Sequence, residues 1–132
     1  MKKKLLLTAG ITTIIMWAID FVAGKFYLYW TVRWLDNVTH FLGGLSVGFL
    51  IIWFISLFKK TSWTQKEIII WTVVGVMLVG FSWEVFEYVL NIAGPSAGET
   101  YTLDTTMDLL SDFIGSLVAG YWIIKNILEK YV

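Results

Sequence analysis

Several short patterns in this sequence set side chains that can hold a cation or move a proton at helical spacing. Asp36 and His40 are four residues apart, and Gly44 and Gly48 continue the stripe. Side chains at i and i+4 share a helix face, so that face runs acid, imidazole, glycine, glycine. Glu84 and Glu87 are three apart with Gly80 one turn before them, and Asp104, Asp108 and Asp112 recur every four residues. Each set is expected to occupy one face of its helix.

Asp36, His40, Glu84, Glu87, Asp108 and Asp112 are therefore the candidate metal ligands, and His40 or Glu84 the candidate general base. Carboxylate oxygens with at most one imidazole suit a divalent cation such as Mg²⁺, Ca²⁺ or Mn²⁺, and suit Fe²⁺ or Zn²⁺ less well. There is no cysteine, hence no thiolate site, and the single histidine excludes schemes that need two imidazoles. Paired Glu-x-x-His motifs are absent, so a ferritin-like di-iron site is not expected.

The elements that must carry these residues are membrane spans. The 132 residues are 58% hydrophobic, with a mean hydropathy of +0.72, far above that of a soluble domain. Apolar runs at 5–24, 34–58, 67–90 and 105–128 are each long enough to cross about 30 Å of hydrocarbon at about 1.5 Å per residue. The expected fold is all-α: a single four-helix transmembrane domain over residues 1–132. The first run follows Met1-Lys2-Lys3-Lys4 like the apolar region of a signal peptide. It is too long for one and lacks a clean cleavage site, so it is read as a retained helix. The longest connection, from Asn91 to Leu103, holds the only proline, Pro95, and reads as a turn outside the membrane.

A formal net charge of zero hides a segregation of sign and argues against a nucleic-acid partner. Lys2 to Lys4, Lys59, Lys60, Lys66, Lys125 and Lys130 fall on the side of the termini, which the positive-inside rule makes cytoplasmic. On the other side only Lys25 and Arg33 face Asp20, Asp36, Glu84, Glu87, Glu99, Asp104, Asp108 and Asp112. Phe26 to Trp30, Trp34, Trp83, Tyr88 and Tyr101 mark the outer boundary, and Trp53, Trp63, Trp71, Trp122 and Tyr131 the inner one. A carboxylate at mid-bilayer costs about 2.5–3.5 kcal/mol on insertion scales, and like charges at i, i+4 repel. A bound cation or shared protons would supply the missing positive charge.

Simpler roles compete residue by residue. Asp104 suits an N-cap or first helical turn, and Asp36 suits the same position beside Arg33. Asp20 and Glu99 read as solvated or interfacial, and His40 could be a hydrogen-bonded interior histidine. Glu84, Glu87, Asp108 and Asp112, inside apolar runs, fit these readings least.

The strings Asp36-Asn37-Val38-Thr39-His40-Phe41, Glu84-Val85-Phe86-Glu87 and Asp108-Leu109-Leu110-Ser111-Asp112-Phe113-Ile114-Gly115 resemble the VanZ-like family of small bacterial membrane proteins. Leu103 to Asp108 and the Gly43-Gly44 pair look closer to the related YjdF-like inner-membrane proteins. The resemblance implies a four-helix bacterial inner-membrane protein with a polar site. Asn37, Glu87 and Asp112 replace the lysine, glutamine and asparagine of the VanZ-like pattern, adding acid and removing a base.

Three functions remain open. One is a cation-dependent enzyme acting on a membrane lipid or lipid-linked envelope precursor. The second is a non-catalytic structural or resistance-type factor. The third is an ion or proton transport subunit, which the absence of ionisable residues from Gly43 to Phe58 and from Ile68 to Phe81 disfavours.

Overall fold

The computed structural model describes residues 1–59, 61–91 and 100–128. The expected turn around Pro95, and Lys60, Glu99, Glu129, Lys130 and Tyr131, lie outside them. The described chain is helical: α1 (Lys2–Lys25), a short α2 (Leu28–Thr31), α3 (Trp34–Phe58), α4 (Gln65–Leu90) and α5 (Tyr101–Ile123), which runs on as a π-helical turn (Ile124–Leu128). Four of its helices are long and apolar enough to cross a membrane, as the hydropathy pattern predicts.

The helix ends follow local chemistry. Thr64 caps α4 in a capping box: its hydroxyl accepts from the Glu67 N–H at 3.2 Å, and its own N–H donates to Glu67 Oε2 at 2.8 Å. This moves the start of the third span back to Gln65. Thr100 caps α5, its hydroxyl accepting from the Leu103 N–H, so the fourth span begins at Tyr101 rather than Thr105. Asp104 is thus not the cap but an acid of the first turn, where the helix dipole favours it. Asp36 holds the same place in α3, whose N-cap Arg33 makes no side-chain capping bond. The short α2 was not legible in hydropathy; Tyr27, in the left-handed region at φ 55°, turns the chain into it.

α3 is the hub on which α1, α4 and α5 pack, and α5 also packs on α4. Near the chain ends the seam is filled by Leu5, Phe49, Ile52, Ala119, Ile123 and Ile127, with Trp122 edge-on to Phe49 at 5.2 Å. Lys4 Nζ donates to the Asn126 carbonyl at 3.3 Å, which brings the first and last helices together at this end. Trp63, expected in an interfacial belt, is buried here instead, its indole N–H bonded to Ser56 Oγ at 3.2 Å.

α3 and α5 cross almost backbone to backbone, which glycine alone permits. A Cβ on Gly44 would overlap the Asp112 main chain, and one on Gly115 would overlap the Phe41 carbonyl and lie 2.9 Å from the Leu45 nitrogen. Gly48 continues the contact, its Cβ position 2.8 Å from Ala119 Cβ. This crossing includes the Asp112 main chain and lies one turn from His40, and it brings those two residues together.

Candidate functional site

His40 comes off α3 one turn before Gly44 and reaches across to α4 and α5, its side chain 11% exposed. Its Nε2 lies 4.0 Å from Asp36 Oδ1, 3.9 Å from Glu84 Oε1 and 3.9 Å from Asp108 Oδ2. Its Nδ1 faces the other way, 3.5 Å from Asp112 Oδ2. The imidazole is thus ringed by four carboxylates from three helices, three on one edge and one on the other. Glu84, Asp108 and Asp112 are buried at 6%, 3% and 5% exposure, whereas Asp36 is half-exposed at the margin.

Asp112 is held in place by the crossing. Its main chain abuts Gly44, and its carboxylate occupies the space that a Cβ on Gly80 would need. The glycine one turn before Glu84 therefore clears room on α4 for an acid of α5. Glu84 is anchored through one oxygen: Oε2 accepts the Thr105 hydroxyl at 2.9 Å. Its other oxygen, Oε1, is the single buried side-chain nitrogen or oxygen among the described residues with no hydrogen-bond partner. Leaving such an atom unsatisfied costs about 1–3 kcal/mol, which sets it apart from the other buried polar groups.

Thr105 was not among the expected site residues. On a helix turning about 100° per residue, a step of three and then four returns Thr105 to within about 20° of Asp112, with Asp108 about 40° to the other side, whereas two steps of four carry Asp104 about 80° away from Asp112. Asp104 instead lines a cleft beside the cluster, with Arg33, Trp34, Asp36 and Asn37 from the start of α3 and Leu103, Met107 and Asp108 from the start of α5. Its volume is about 260 Å³.

Ligand atoms of Asp36, His40 and Asp108 all lie within 4.8 Å of one another. Donors on one ion at 2.0–2.6 Å can be no more than about 4–5 Å apart, so these three are close enough together to share one divalent cation. The spacing is also too long for the groups to satisfy each other by hydrogen bonds. Of the other expected ligands, Glu84 faces this trio, Asp112 faces the far nitrogen of His40, and half-buried Glu87 is not among the converging donors. Asp20 lies apart from the cluster, exposed on α1, where its Oδ1 accepts the Tyr29 hydroxyl at 2.7 Å. Burial and this bond hold the Tyr29 phenol above its usual range.

The whole of this site falls inside a stretch shared with other proteins. A family described as predicted membrane protein, DUF2238, matches residues 1–127. The chain belongs to this family. No curated protein and no solved structure matches the DUF2238 chain.

Proposed function

We propose that this protein binds one divalent cation through Asp36, His40 Nε2 and Asp108, and that the cation serves hydrolytic or transfer chemistry on a lipid or envelope precursor. Three protein donors leave open positions for water and substrate, the arrangement typical of catalytic rather than closed structural ions. Asp112 then accepts from His40 Nδ1–H, fixing the tautomer that presents Nε2 to the ion, as outer-shell carboxylates do. His40 is a ligand in this reading rather than a base. The base would be Glu84, whose unpartnered Oε1 lies on the Nε2 side of His40 and which Thr105 positions through Oε2. Glu87 stands back from the ion.

The observation that carries the reading is Glu84 Oε1: a carboxylate oxygen deeply buried, unpartnered and 3.9 Å from His40 Nε2. The segregation of basic from acidic residues along the sequence supports a reading in which the site lies in the outer half of a bacterial inner membrane, with both termini cytoplasmic. The VanZ-like and YjdF-like resemblance fits this placement. Magnesium, calcium and manganese are the ions whose ligand preference matches.

The test is elemental analysis and Mn²⁺ titration, followed by paramagnetic resonance, of detergent-purified protein, with circular dichroism matching the fold of each variant. The expected result is one ion per chain, lost in Asp108→Asn and retained in Glu84→Gln. Absence of any ion in the wild type would overturn the proposal and leave shared protons as the source of compensating charge.

A further inference from the structure

We propose that the cleft between the first turns of α3 and α5 receives the phosphate of a lipid headgroup, bound between Arg33 and the cation; this rests on the cation reading above. Asp36 and Asp108, two of the three ion donors, are also walls of the cleft, so the ion would lie at its floor. Arg33 lines the same space from the start of α3, and among the described residues no carboxylate forms an ion pair with it. A guanidinium and a divalent cation facing each other across about 260 Å³ form a two-point site for a phosphoryl group, which Arg binds through paired N–H donors. The first turn of α3 has no side-chain cap, and an anion beside it gains further from the helix dipole.

The remaining walls argue for a lipid rather than free phosphate. Trp34, Leu103 and Met107 are 63%, 50% and 41% exposed at the rim, at the ends of two apolar spans, where an acyl chain or glycerol backbone would lie against them. Without the ion, the acids of the cleft would repel a phosphate, so lipid binding must depend on the cation.

The probe is dihexanoyl phosphatidic acid, titrated calorimetrically into detergent-purified protein with and without Mn²⁺, in parallel with inorganic phosphate. Lipid binding that needs Mn²⁺, and that weakens about tenfold or more in Arg33→Gln while Mn²⁺ stays bound, is the expected result. Met107→Trp, which narrows the cleft at its rim and replaces none of the ion donors, is expected to lose the lipid and keep Mn²⁺. If Mn²⁺ binds but lipid binding is absent, independent of Mn²⁺, or unchanged in both variants, the cleft proposal is overturned while the cation site stands. Equal affinity for inorganic phosphate overturns the lipid assignment. Failure of the wild type to bind Mn²⁺ removes the cation reading and this one with it.

Discussion

The two ends of this bundle treat their polar groups in opposite ways. Toward the chain ends, hydroxyls buried among apolar side chains are closed on neighbouring backbone. Ser56 donates to the Ile52 carbonyl at 2.6 Å, Thr72 to Ile68 at 2.9 Å and Ser116 to Phe113 at 2.6 Å. Ser46 reaches between helices, 2.5 Å from Thr13 Oγ1 and 3.2 Å from the Ala9 carbonyl. Around His40 the carboxylates stand 3.5–4.0 Å from the imidazole, and Glu84 Oε1 has no hydrogen-bond partner. In lipid every unsatisfied polar group is costly, so the closed end has the chemistry of a folded core, and the open end is where the proposed ligand would supply the missing partners.

Four substitutions would break or sharpen that contrast. The largest effect is expected for Asp108→Asn, which removes a donor and should abolish stoichiometric Mn²⁺ binding with little change in melting temperature in detergent. A large loss of stability instead would assign the cluster to the fold. Gly44→Leu should act the other way, forcing α3 and α5 apart at the Asp112 main chain and costing about 3 kcal/mol of stability, measured by thermal unfolding. Retention of wild-type melting would show that the crossing is looser than the backbone contact indicates. Asp112→Asn leaves the ion donors in place and releases the His40 orientation; Mn²⁺ affinity should fall about 10–100-fold. An unchanged affinity would deny Asp112 its positioning role. Ser46→Ala, in the closed region, should cost only about 0.6 kcal/mol and leave Mn²⁺ affinity where it was. A change in Mn²⁺ affinity there would couple the two ends and erase the distinction.

Much of the frame was legible before folding. Span number followed from apolar length, since each backbone N–H and C=O within lipid must be satisfied inside its own helix. The Asp36–His40 stripe with Gly44 and Gly48 behind it marked the inward face of α3, and the structure turns that face onto α5. The fourth span was less legible. Its start depended on a threonine cap at Thr100, and a period of four grouped Asp104 with Asp108 where the three-four alternation of a packed face selects Thr105.

By itself, the amino-acid sequence determined the membrane as solvent, the helices and the segregation of acid from base, because these depend on composition and on the periodicity of a single helix. Only the tertiary structure decided which acids meet. Periodicity aligns residues on their own helix but does not rotate one helix against another. That rotation is set where Gly44, Gly80 and Gly115 let α3, α4 and α5 approach, and it turns three acids to one edge of His40 and Asp112 to the other. It also leaves Arg33 facing an acid-lined cleft.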